Sequence, residues 1–149
     1  MEILKSIESP YIVHCHDIFE TDSFLTIILE YVSGGDLFDK LVALKRYQES
    51  DAKLVFYQMA HGVKYLHDRG IAHRDLKPEN FLVRSDKSDT LILMGDFGLA
   101  RVFSGQANFM KTLCGTPQYL APEVIQQARA NKMEGYTQVS SFQSAFRRF

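Results

Sequence analysis

The chain has 149 residues, 46% of them apolar and 23% charged, which suits one compact domain or a piece of a larger one and excludes both two full domains and wholesale disorder. Its 17 Lys and Arg against 18 Asp and Glu give a net charge of -1, without the electropositive excess of a nucleic-acid binder. The longest apolar run, Phe24-Leu25-Thr26-Ile27-Ile28-Leu29, is far shorter than the roughly 20 residues of a spanning helix, so neither nucleic acid nor a membrane is expected as partner.

Met1-Glu2-Ile3-Leu4-Lys5 lacks the basic start and long apolar stretch of a signal peptide, and two distant cysteines, Cys15 and Cys114, read as reduced thiols. A cytoplasmic or nuclear setting is expected. Pro10 to Phe19 and Phe24 to Val32 are rich in β-branched and aromatic residues around the polar Glu20-Thr21-Asp22-Ser23, which predicts a β-hairpin. On such a strand His14 and His16 face one side and Cys15 the other, so three convergent metal ligands are not available there. Ser33-Gly34-Gly35 breaks the second strand, and a short helix is predicted from Asp36, with Leu37, Phe38, Leu41 and Val42 as its apolar stripe.

The next helix is capped by Ser50 or Asp51, carries Val55, Met59, Gly62, Val63 and Leu66 at intervals of three and four, and ends at Gly70. Ile71 to Asn80 follows neither period and reads as a loop. Phe81-Leu82-Val83 and Leu91-Ile92-Leu93-Met94 read as a small hairpin around a polar turn, and Gly95 to Glu123 shows no sustained periodicity.

Three motifs fall on these elements in order: His73-Arg74-Asp75-Leu76-Lys77-Pro78-Glu79-Asn80 after the long helix, Asp96-Phe97-Gly98 after the small hairpin, and Ala121-Pro122-Glu123 closing the irregular stretch. Together they resemble the catalytic loop, metal-binding turn and activation-segment end of the eukaryotic protein kinases. The resemblance implies an α+β fold, incomplete here: the end of the small lobe, the hinge and the first half of the mainly helical large lobe.

Phosphoryl transfer is mostly positioning and charge neutralisation. The resemblance places Asp75 where it accepts or orients the substrate hydroxyl proton and Lys77 beside the moving phosphoryl group. Asn80 and Asp96 supply hard oxygen ligands for Mg²⁺. Arg74 would hold a phosphorylated residue of the activation segment, for which Thr112 is the candidate, and Thr116 would hydrogen-bond near Asp75 and Lys77. His73 and Phe97 are packing residues in this reading. For ATP, the resemblance gives the backbone of Glu30 and Val32 to the adenine edge, Asp36 to the ribose, Leu82 to the adenine floor and Leu29 to the back-pocket gate.

Lys77 after Asp75-Leu76, with Gly115-Thr116-Pro117, resembles serine/threonine rather than tyrosine kinases, so the expected partner is a protein substrate with Ser or Thr. Gly34-Gly35-Asp36-Leu37-Phe38 and Thr112-Leu113-Cys114-Gly115 look most like the calmodulin-dependent and checkpoint-kinase branch. Oligomeric state is not indicated.

The chain also departs from the family pattern. No Gly-rich phosphate loop or lysine-bearing strand stands ahead of the hinge, and the glutamate that pairs with that lysine would fall one residue before Met1, so Glu2 does not fill its place. After Gly135-Tyr136-Thr137 the family's Asp and Trp are replaced by Gln138 to Phe149, and the chain has no Trp. The expected organisation is therefore a partial kinase domain over 1–137 with a divergent tail over 138–149. Negligible phosphotransfer is expected from these 149 residues alone, and a loosely packed or aggregation-prone isolated chain. The alternative is a catalytically inactive, pseudokinase-like fragment acting through protein binding.

Overall fold

The structure is a computed structural model, and it describes residues 2–98, 100–102 and 114–130. Thr112 and the 138–149 tail lie outside the described residues. In order, the elements are α1 (Glu2–Lys5), β1 (Cys15–Glu20), β2 (Leu25–Leu29), α2 (Leu37–Leu44), α3 (Glu49–Asp68), β3 (Ile71–Ala72), a 3-10 turn (Pro78–Asn80), β4 (Phe81–Ser85), β5 (Ser88–Met94), β6 (Arg101–Val102), a second 3-10 turn (Pro117–Tyr119) and α4 (Pro122–Arg129). They divide into two units, one from Met1–Gly62 with Phe81–Gly95, the other from Val63–Asn80 with Asp96 onward, so that α3 contributes to both.

In the first unit β1 and β2 form the expected antiparallel hairpin, closed by Thr21 N donating to Phe24 O at 2.9 Å. The first strand is shorter than the sequence predicts, because Pro10 to Val13 turns to another neighbour. Val13 N donates to Met94 O at 2.9 Å and Met94 N to Tyr11 O at 2.8 Å, a pairing between distant segments that local pattern does not reveal. β4 and β5 form the second hairpin, each longer than its apolar run. Ile12, Leu37, Val55, Met59, Phe81, Val83 and Met94 are among the buried residues of this core.

Asp36 caps α2, its Oδ1 accepting from Asp39 N at 2.8 Å. Only Leu37 of the predicted stripe is buried; Phe38 and Val42 are 41% and 62% exposed. The helix is fastened at its first turn, where Gly34 N donates to Val83 O, Val83 N donates to Gly35 O, and Asp36 pairs with Leu82. Beyond that turn the tie is an ion pair, Lys40 Nζ to Asp89 Oδ1 of β5 at 2.6 Å. α3 begins at Glu49, ahead of the expected caps at Ser50 or Asp51. Gly62 is where it runs close to the chain: a Cβ there would stand 3.1 Å from Met94 Cε and 3.4 Å from Tyr11 O. Gln58 on α3 ties off the edge of β5, its Nε2 donating to Thr90 O at 2.6 Å and its Oε1 accepting from Ile92 N at 3.2 Å.

In the second unit Val63 and Leu66 of α3 are buried, and Gly70 at φ 68° ends the helix as expected. The stretch read as loop holds a two-residue strand, β3, paired antiparallel with β6. Such short strands reveal themselves only through the partner. α4, not anticipated in the sequence, starts with Pro122 at its first position and buries Val124 against Ala72 and Ala121.

Candidate active site

The second unit gathers the catalytic-loop residues around one carboxylate. Asp75 Oδ1 accepts from Thr116 N at 2.9 Å and from Thr116 Oγ1 at 2.7 Å. Its Oδ2 pairs with Lys77 Nζ at 2.9 Å and accepts from Asn80 Nδ2 at 3.2 Å, while Asn80 Nδ2 also donates to Asp75 O at 2.8 Å. Lys77 Nζ in turn donates to Thr116 Oγ1 at 2.9 Å. The Thr116 hydroxyl thus donates a hydrogen bond to the Asp75 carboxylate and accepts one from the Lys77 ammonium.

These contacts set the charges. Burial pushes the Asp75 carboxyl up, but hydrogen bonds from Lys77 and Thr116 outweigh it and hold the group below the usual carboxylate range. The Asp75 hydrogen bond raises the Lys77 ammonium; burial opposes, and the charges of Asp75, Glu79 and Asp96 add to the rise. Asp96 thereby lies within electrostatic reach of Lys77. Both groups are fixed in their charged forms.

The backbone conformation is unusual at three points. Arg74 at φ 68° and Asp96 at φ 48° occupy the left-handed region despite their side chains, a local cost of the kind that collects at functional sites. Gly115 sits at φ 106°, and a Cβ on it would meet Arg74 O at 2.8 Å, so only glycine lets this segment lie against the catalytic loop. His73 is buried with its ring 5.1 Å from that of Phe97, and its Nδ1 accepts from Asp75 N at 3.4 Å. Glu79, assigned no role from its sequence context, takes a hydrogen bond on Oε1 from Tyr119 OH at 3.4 Å, and its other oxygen is buried without a hydrogen-bond partner among the described residues. The signal for it was its place inside the motif.

Asn80 and Asp96 are chemically suited to Mg²⁺. Among the described residues the amide nitrogen of Asn80 is spent on Asp75 and its carbonyl oxygen is left as a hard ligand, while Asp96 commits Oδ1 to Gly98 N at 3.1 Å. Two oxygens suit an ion that keeps water and phosphate in its remaining positions. Among the described residues no group of three or more His, Cys, Asp or Glu is placed to hold a metal.

The first unit holds the residues read as nucleotide contacts. Glu30 N donates to His14 O at 2.9 Å and Glu30 Oε1 accepts from His14 N at 2.8 Å. Among the described residues the Glu30 carbonyl and the Val32 backbone take no part in these bonds. Asp36 and Leu82 are cross-strand neighbours, and Gly34 must be glycine because a Cβ would stand 2.4 Å from Val83 O. Asp36 spends one carboxylate oxygen on its helix cap. Leu29 is exposed at the end of β2.

A family model described as "Protein kinase domain" matches residues 1–139. The chain belongs to the protein kinase family. Among its relatives it is 47% identical over 124 residues to ovarian-specific serine/threonine-protein kinase Lok of Drosophila melanogaster, covering 83% of this chain and 26% of that protein. It is 45% identical over 136 residues to serine/threonine-protein kinase cds1 of Schizosaccharomyces pombe, covering 91% and 29%. With the serine/threonine-protein kinase H1 homolog of Pinctada fucata the identity is 44% over 123 residues, covering 83% and 30%. The chain thus spans under a third of the length of these relatives. Among the described residues no helix is long and apolar enough to cross a membrane.

Proposed function

We propose that the chain is the catalytic-loop part of an ATP- and Mg²⁺-dependent serine/threonine protein kinase of the calmodulin-dependent and checkpoint branch, with protein Ser or Thr hydroxyls as substrate. The observation that carries this reading is the Asp75–Lys77–Thr116 cluster with Asn80 behind it. The substrate hydroxyl oxygen forms a bond to the γ-phosphorus of ATP, the bond to the β,γ-bridging oxygen breaks, ADP leaves, and the hydroxyl proton passes to the Asp75 carboxylate. Lys77 lies against the transferring phosphoryl oxygens. Asn80 and Asp96 would hold Mg²⁺, which when bound supplies charge neutralisation at the phosphates. Glu30, Val32, Asp36, Leu29 and Leu82 are assigned to the nucleoside end of ATP. Arg74 is assigned to a phosphorylated Thr112, and Cys15 and Cys114, neither in a disulfide, suit a reducing cytoplasmic or nuclear setting.

The second reading, a protein-binding fragment without catalysis, is favoured by one observation: every residue of β2 is exposed, Leu25, Ile27, Ile28 and Leu29 among them. Phosphotransfer from radiolabelled ATP to Ser/Thr peptides, measured on a chain extended to the length of its relatives, separates the two. Asp75→Asn is expected to lower the rate by about 10²- to 10⁴-fold. An unchanged rate overturns the catalytic assignment, and no transfer by the unaltered extended chain favours the binding reading.

A further inference from the structure

The strand entering the first hairpin carries a feature that phosphotransfer does not use. His14 and His16 are both exposed, with Cys15 between them buried on the opposite face. Two residues apart on a regular strand, side chains emerge about 6.5–7 Å from each other. Here the register of β1 against β2 shifts between Cys15 and Asp17, an irregularity centred on His16, and the two imidazole rings stand only 4.9 Å apart, centre to centre, with planes at 83°. A shift of this kind re-aims a side chain.

That spacing matches two ligands of one ion. With metal–nitrogen bonds of about 2.1 Å, ring centres about 1.1 Å behind each nitrogen and ligand angles of about 90–110°, imidazoles sharing an ion lie about 4.5–5.3 Å apart. The rings are exposed, so rotation about χ2 turns their nitrogens together without disturbing the core. The geometry points to a two-imidazole site on His14 and His16 for a borderline divalent cation of the Zn²⁺, Ni²⁺ or Cu²⁺ type, with water in the remaining positions. No third His, Cys, Asp or Glu joins them among the described residues, so the site is open. It is separate from the Asn80 and Asp96 pair in ligand chemistry: nitrogen donors select these ions, and hard oxygens select Mg²⁺. The ion would also reach the hinge, because the His14 backbone makes both hydrogen bonds to Glu30. Occupancy should slow exchange of the Glu30 amide.

The test is a Zn²⁺ titration of the 149-residue chain with Mg²⁺ in excess, read by NMR at the histidine ring nitrogens and at backbone amides. One saturable equivalent that shifts the ring nitrogens of His14 and His16, reverses with EDTA and slows exchange at Glu30 is expected. His16→Gln should weaken it about tenfold or more, while His61→Gln leaves it unchanged. The reading on the unaltered chain needs no variant to fold. Unperturbed His14 and His16 nitrogens at saturating Zn²⁺, or shifts centred on Cys114 or on Asn80 and Asp96 instead, overturn the site.

Discussion

Thr116 offers one hydroxyl to two charged neighbours, donating to Asp75 and accepting from Lys77. Thr116→Ala removes both bonds and leaves the pair short of a partner, so kcat/KM in the extended chain should fall about tenfold to hundredfold, with Thr116→Ser restoring most of it. A purely packing role predicts similar losses for the two variants, since serine and alanine both lack the methyl. His67 gives a second prediction. Burial depresses its imidazole, with the Asp68 charge opposing. Between the folded value and about 6.5 the unfolded chain binds the proton and the folded one does not, so stability is full above about pH 6.5 and declines as pH falls through that window. Denaturant midpoints at several pH values should show this decline, and His67→Gln should flatten it. At this scale the sequence was read through the motif: Asp75, Lys77, Asn80 and Thr116 stand out by resemblance and prove to be in contact. The left-handed backbone at Arg74 and Asp96 was not legible, because no glycine marks it.

Among the elements, α3 was the most legible, since four of its five stripe positions are large apolar residues at helical spacing and all four are buried. α2 misled because its stripe is apolar all along while, among the described residues, its backbone ties to β4 gather at its start and only Leu37 of the stripe is buried. Its far end carries a further cost: Lys45 adopts φ 63° and ψ -35°, outside the range a side chain favours. Lys45→Gly should raise stability by about 1 kcal/mol, read as a higher denaturant midpoint at unchanged slope. β3 and β6 escaped notice for the opposite reason to α3. Two residues show no period, and their partner lies far along the chain.

For the molecule as a whole, composition foretold a core, and the core is there in each unit. What composition leaves open is which apolar residues stay outside. Phe19, Phe24, Leu25, Ile27, Ile28, Leu29 and Tyr31, all in or beside the first hairpin, are exposed. An apolar hairpin with open strand edges invites pairing with another chain. Sedimentation of the 149-residue chain should show concentration-dependent self-association, reduced by Ile28→Lys; a single monomeric species at all concentrations would count against it.

The hydroxyl shared by Asp75 and Lys77 also bears on how esterified forms of this segment should be interpreted. A phosphoryl ester on Thr116 would delete the proton shared with Asp75 and set a dianion against a carboxylate, whereas under the proposed function an ester on Thr112 would be held by Arg74. On that proposal two phosphosites four positions apart would carry opposite meanings, and mass-spectrometric occupancy pooled over the peptide would hide the difference between them.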